Sequence, residues 1–199
     1  MSRIAVLISG RGSNMRAIVD ACQDGTVDST VVAVISNNPD AGGLVFAREQ
    51  NIDTAVLDHK QFDNRLEFDS KLKTLIDSFE PDWILLAGFM RILSSDFVNH
   101  FLGRIINIHP SLLPLHPGLN THAKALAAGD TKHGATVHFV TPELDAGPII
   151  AREECAVLPN DTEHTLAERV LQIEHKLYVE ALRRCVNGDA RLVNKTALP

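Results

Sequence analysis

Asn107 and His109 stand two residues apart at the end of the short apolar run Ile105–Ile108, in the segment Asn107-Ile108-His109-Pro110-Ser111-Leu112-Leu113-Pro114. Side chains two apart on a strand point the same way. An amide and an imidazole aimed at one point have a joint use. Both can stabilise an oxygen that is gaining negative charge, and the imidazole can also move a proton. A lone histidine would otherwise read as a hydrogen-bonded structural residue. The pairing with Asn107 at a strand end makes it a candidate. A carboxylate would complete the set, because an acid beside a histidine favours the imidazolium. Asp145, in Glu143-Leu144-Asp145-Ala146-Gly147-Pro148, is available for that role. Taken alone it reads better as a turn-forming residue before Ala-Gly.

A second constellation is Ser9-Gly10-Arg11-Gly12-Ser13-Asn14, which joins an apolar run to a helical pattern. Glycines let backbone approach a ligand closely, and the free amides of a helix start favour an anion. Ser13 and Asn14 add side-chain donors, and Arg11 adds positive charge. A phosphate cradle is one reading; a tight turn without a ligand is the other. A dinucleotide fingerprint is disfavoured, because Met15 stands where the third glycine belongs and Ser36-Asn37-Asn38 replaces the acidic residue after the second strand. No Gly-Lys-Ser/Thr follows, so a P-loop is excluded.

The elements that must position these residues follow from periodicity. Apolar runs at Ile4–Ser9, Val31–Ser36, Thr54–Leu57 and Trp83–Ala87 read as strands. They alternate with helical patterns at Ser13–Gln23, Gly42–Gln50 and Phe62–Phe79, the last with Leu66, Leu72, Leu75, Ile76 and Phe79 on its apolar face. Such alternation implies a parallel sheet covered on both sides. The second half changes character. Residues 110–131 are rich in His, Pro and Gly and read as loop, with His116 and His122 on the surface. Strands are expected at Ala135–Val140 and Pro148–Val157. The first alternates Val137 and Phe139 against Thr136 and His138, with His138 pointing toward the same sheet edge as Asn107. Asp161 is the expected cap of a last helix, whose apolar face is Leu166, Val170, Ile173 and Leu177 and whose end is Asn187-Gly188. No linker interrupts the 199 residues, so one domain is expected. Residues 1–105 would form a phosphate-binding half and residues 106–199 a catalytic half.

Composition removes several function classes. The net charge is -6 and no Lys/Arg cluster forms, which argues against a nucleic-acid partner. Three widely spaced cysteines give no disulfide framework and suit a reducing cytoplasm. The run Ile4–Ile8 is too short for a signal peptide or a membrane span. No HxxxH or HExxH pair suggests zinc, and no GxSxG elbow suggests a serine nucleophile.

Together these motifs resemble the folate-dependent formyltransferases. The resemblance is carried by Ile8 through Asn14, Ala87-Gly88-Phe89-Met90-Arg91-Ile92-Leu93, Asn107 through Pro114, and His138-Phe139-Val140 through Pro148, and it runs almost end to end. The Ser-Asn of the glycine loop points to members whose acceptor carries a phosphate. The resemblance implies a three-layer α/β/α fold with a mixed, mainly parallel, Rossmann-like sheet. It implies 10-formyltetrahydrofolate as co-substrate, glycinamide ribonucleotide as acceptor, and no metal. It places the catalytic trio on Asn107, His109 and Asp145. Acceptor contacts fall on Gly12, Ser13, Asn14 and Glu174. Folate contacts fall on Arg65, Met90, Arg91, Ile92, Leu93, Asn107, Thr141, Pro142, Glu143, Leu144 and Asp145. Two positions depart from the family pattern: Asn120 stands where some relatives carry His, and Arg11 fills a variable slot. Three alternatives stay open. A formyltetrahydrofolate deformylase would use the same trio on water. A formyltransferase acting on charged tRNA would want a basic surface. A non-catalytic nucleotide-binding module would leave the trio unexplained.

Overall fold

The computed structural model describes residues 1–193 and 196–198. The strands are β1 (Ser2–Ile8), β2 (Ser29–Ser36), β3 (Thr54–Val56), β4 (Trp83–Leu86), β5 (Ile105–His109), β6 (Lys132–Phe139), β7 (Ile149–Ala156), β8 (Arg191–Val193) and β9 (Thr196–Leu198). The helices are α1 (Ser13–Gln23), α2 (Gly43–Glu49), α3 (Arg65–Asp77), α4 (Ser95–His100), α5 (Thr121–Ala128) and α6 (Glu163–Asn187). Seven strands make one sheet in the order β3-β2-β1-β4-β5-β6-β7. Pairs from β3 to β5 are parallel, whereas β5–β6 and β6–β7 are antiparallel. The mixed, mainly parallel sheet expected from the sequence is therefore present.

Two apolar layers cover it. Ile4, Val6 and Ile8 of β1 pack with Met15 and Ile18 of α1, Leu44 of α2, and Leu166, Val170 and Leu177 of α6. Leu7, the intervening residue, packs on the other face with Phe68, Leu72 and Ile76 of α3 and Phe97 of α4. A strand buried on both faces is what a parallel sheet between helices requires. The order of strands creates the site: the chain leaves β1 toward β2 and β3, then returns to β4 on β1's other side. Ligands in open sheets sit where that reversal parts the loops, beyond the strand carboxyl ends.

Several boundaries differ from expectation. α3 begins at Arg65, because the Asn64 side chain caps it by accepting from Glu67 N–H at 3.0 Å. Leu66 is exposed, and the buried face is Phe68, Asp69, Leu72 and Ile76. Residues 110–131 contain α5, in which only Thr121 and Ala125 are buried, and α4 precedes β5. Thr162, not Asp161, caps α6 in a reciprocal box with Thr165. Asp161 instead takes a bidentate bond from Arg169 at 2.6 and 2.8 Å. β6 is buried on both faces rather than alternating, since α6 packs on one side and the loop after β5 on the other.

Candidate active site

Asn107 and His109 close β5, and antiparallel pairing sets His138 of β6 directly opposite Asn107. Hydrogen bonds fix the orientation of each group. His138 Nδ1 faces the Phe139 carbonyl at 2.9 Å, which only accepts, so Nδ1 carries the proton. His138 Nε2 is then an acceptor, and Asn107 Nδ2 donates to it at 3.2 Å. That bond decides which end of the Asn107 amide is nitrogen. His138 is buried, and burial pushes its pKa below the usual histidine value, outweighing the nearby Asp145 carboxylate. A neutral ring suits the role of acceptor.

Asp145 reaches the same point from the β6–β7 connection. Its backbone is left-handed, with φ of 51°, a conformation Asp tolerates better than most residues. Its carboxylate is 9% exposed and lies 3.6 Å from His109 Nδ1 and 3.9 Å from His138 Nε2. It also accepts the backbone N–H of Gly118 at 2.8 Å, which ties its loop to the one after β5. His109 Nε2 donates to the His116 carbonyl at 3.1 Å. Both nitrogens of the buried His109 ring thus face acceptors, so an imidazolium has a place for each N–H. The end of β5, the loop after it and the β6–β7 connection bring the amide, the imidazole and the carboxylate together.

A pocket of about 570 Å³, counting its open mouth, adjoins this cluster. Asn107, His138 and Asp145 form one side, Arg91, Ile92 and Leu93 another, and Thr141, Pro142, Glu143 and Leu144 a third. Leu86, Phe89, Val98 and Val140 line the remainder. Its mixed lining suits a flat heterocycle with a polar edge. Arg65 and Met90 do not line it. Arg65 opens α3, and the Met90 side chain is 65% exposed while its N–H is held by Ser9.

The glycine loop leads from β1 into α1. Gly12 is the residue before the first turn, with φ of +71° and no side chain to cap the free amides behind it. A Cβ there would meet the Met15 methyl at 2.9 Å and Gly43 Cα at 3.2 Å, so glycine is required for both conformation and space. Ser13 begins the helix, and no acidic residue occupies its first turn. Asn14 is buried and donates through Nδ2 to Glu174 Oε2 of α6 at 2.6 Å. Asn14 Oδ1 has no partner among the described residues. Burial pushes the Glu174 pKa up, with Asn14 pulling it partly back. Uncapped amides, a buried amide and a buried carboxyl are thus grouped at one helix start.

Some participants carried no sequence signal. Gly118 and the His116 carbonyl act through backbone, so residue type says nothing of them. His116 and His122 are not surface residues: His116 Nε2 bonds Asp130 at 2.5 Å, and His122 Nδ1 lies 3.1 Å from His133 Nε2. No three His, Cys, Asp or Glu among the described residues are placed to hold a metal ion. No helix among them is long and apolar enough to cross a membrane.

Comparison with known proteins points to one family. A phosphoribosylglycinamide formyltransferase of Escherichia coli (strain K12) is 51% identical over 194 residues, covering 98% of this chain and 92% of that protein. The structure of a phosphoribosylglycinamide formyltransferase from Coxiella burnetii, solved with CHES, superposes with a TM-score of 0.94 at 47% identity, covering 99% of this chain and 92% of that one. A formyltetrahydrofolate deformylase from Pseudomonas syringae shares the fold, with a TM-score of 0.90, at 23% identity. The family model described as formyl transferase matches residues 2–182, and on that match the chain belongs to the formyl transferase family.

Proposed function

We propose that this protein transfers the formyl group of 10-formyltetrahydrofolate to the amine of glycinamide ribonucleotide, giving N-formylglycinamide ribonucleotide and tetrahydrofolate, a step of purine biosynthesis. The observation that carries the reading is the linked set Asn107, His138 and Asp145 on the wall of the pocket, with His109 beside Asp145. The strong likeness to named phosphoribosylglycinamide formyltransferases supports the acceptor.

In this reading the donor's pterin lies among Arg91, Ile92, Leu93 and residues 141–145. The acceptor's phosphate sits on the amides after Gly12, with Ser13, Asn14 and Glu174 holding the rest of the phosphorylated end. Both halves, 1–105 and 106–199, contribute to each substrate, since Arg91 to Leu93 come from the first and Glu174 from the second. The acceptor nitrogen attacks the formyl carbon, and the carbonyl π electrons move to oxygen. Asn107 gives one N–H to His138 and keeps the other for that oxygen. His109 stands beside that charge with its ring nitrogens facing Asp145 and the His116 carbonyl. The tetrahedral carbon collapses, breaking its bond to the folate nitrogen. Asp145, beside both rings, passes the proton from the attacking nitrogen to the leaving one, directly or through water. Groups preorganised in this way each typically contribute ~2.7–4 kcal/mol to lowering the barrier.

The test is acceptor dependence. Purified protein is incubated with 10-formyltetrahydrofolate, with and without glycinamide ribonucleotide. Consumption should require the acceptor and yield the formylated ribonucleotide. Consumption without it would assign hydrolysis instead.

A further inference from the structure

Residues 87–94 connect β4 to α4 without entering a helix or strand, yet Arg91, Ile92 and Leu93 line the pocket. Irregular backbone has no ladder to hold it in register. A wall that reads a ligand edge must nevertheless be placed to about half an ångström. Two side chains outside the pocket fix this one, one at each end.

At the start is Ser9, the residue after β1. Its N–H donates to the Gly88 carbonyl at 3.1 Å, and its hydroxyl accepts the Met90 N–H at 2.8 Å. The hydroxyl cannot turn away, because its own proton goes to Asn37 Oδ1 at 2.5 Å. Asn37 is itself held against His59, whose Nδ1 lies 2.9 Å from the Asn37 carbonyl and 3.1 Å from its Nδ2. At the far end is Asp69 of α3. Its Oδ2 accepts the Ser94 N–H at 2.6 Å, where the segment passes into α4. Asp69 is 3% exposed, and its Oδ1 has no partner among the described residues. A carboxylate buried with one oxygen unpartnered is a poor choice for stability, since an apolar residue of the same shape would suit the face that carries Phe68, Leu72 and Ile76. What Asp69 provides is an acceptor at one backbone N–H. Neither Ser9 nor Asp69 lines the pocket.

We propose that Ser9 and Asp69 are positioning residues for the formyl donor: they hold residues 90–93 as a preformed wall of the pocket, and Ser9 also ties that wall to the acceptor's glycine loop. The inference rests on the folate reading of the pocket. The two residues then differ in their effects. Asp69 has no bond to the acceptor side, so its loss is felt by the donor alone. Ser9 runs directly into Gly10, so its loss is felt by both substrates.

The experiment compares Asp69→Leu, Asp69→Asn and Ser9→Ala with the parent, varying both substrates and titrating tetrahydrofolate by calorimetry. Asp69→Leu should raise the donor KM and the tetrahydrofolate Kd about tenfold, with kcat and acceptor KM within about threefold. Asp69→Asn, whose amide oxygen can still accept from Ser94, should return both to within about threefold of the parent. Ser9→Ala should raise both KM values. The proposal is overturned if folded Asp69→Leu binds tetrahydrofolate like the parent, or if all parameters fall together and Asp69→Asn does not rescue them. If Asp69→Leu fails to fold, Ser9→Ala decides, and an unchanged donor KM overturns the proposal. A parent that binds tetrahydrofolate but shows no acceptor-dependent turnover would instead sink the proposed function, and the titration would still judge the wall.

Discussion

At the residue scale, the carboxylate of Asp145 meets His109 at 3.6 Å, His138 at 3.9 Å and the Gly118 N–H at 2.8 Å. It therefore serves both as a charge beside two imidazoles and as a bond between two loops, and substitutions can separate the two roles. Asp145→Asn keeps an oxygen for Gly118 and tolerates a φ of 51°, but loses the charge. It should melt within ~0.5 kcal/mol of the parent while losing about 100-fold or more in kcat. Asp145→Ala loses the loop bond as well and should be less stable by ~1–3 kcal/mol, as chemical denaturation will measure. His109→Ala should stay folded with a loss of about 100- to 1,000-fold in turnover; retention within tenfold would exclude the oxyanion role. On the acceptor side, Asn14→Ala removes the side-chain hydrogen bond that buried Glu174 accepts. It should raise the acceptor KM about tenfold with little effect on the donor KM, read from paired saturation curves.

At the element scale, the connection from β6 to β7 carries Asp145 and is pinched shut at Gly147. A Cβ there would lie 1.7 Å from the Phe139 carbonyl oxygen, so the loop base has no room to relax. Gly147→Ala must push the two strand ends apart, and kcat should fall about tenfold or more although residue 147 lines no pocket. The histidines behind α5 make a different forecast. His133 is held near a pKa of about 4, chiefly by burial and then by His122 and His116 beside it. Its folded value is depressed, so the stability it contributes is present above the ordinary value near 6.5 and is lost as pH falls toward 4. Melting temperature should drop through that window, and His133→Gln should flatten the drop in a pH series. These elements also mark what the sequence made legible. β1 and β4 were readable because both of their faces are buried, and α6 because its one apolar face repeats along 25 residues. α5 was not, because only Thr121 and Ala125 are buried in its eight residues. α4 was not, because six residues give less than two turns of pattern.

At the scale of the whole molecule, the acceptor loop follows β1 and the donor wall follows β4, and β1 and β4 are neighbours in the sheet. In the proposed reading, two substrates are served from adjacent strand ends of one sheet. Asn107 and His109 could be singled out from sequence because strand period two puts them together on one face. Their meeting with Asp145 could not be derived that way, since it depends on two loops closing through the Gly118 backbone. The placement of Arg65 and Met90 in the donor site came from family resemblance rather than spacing, and neither lines the pocket. Below the site lies Tyr178 of α6, fully buried, whose hydroxyl is 3.1 Å from both the Leu86 and the Ile106 carbonyls. One proton cannot satisfy both, so the phenol alternates or shares between the two strands that flank the pocket floor. The chain has a single tyrosine and a single tryptophan, Trp83 on the same strand as Leu86. The protein thereby carries its own optical reporter: near-ultraviolet difference spectra recorded as the non-aromatic ribonucleotide is added should register any shift of that floor without a label.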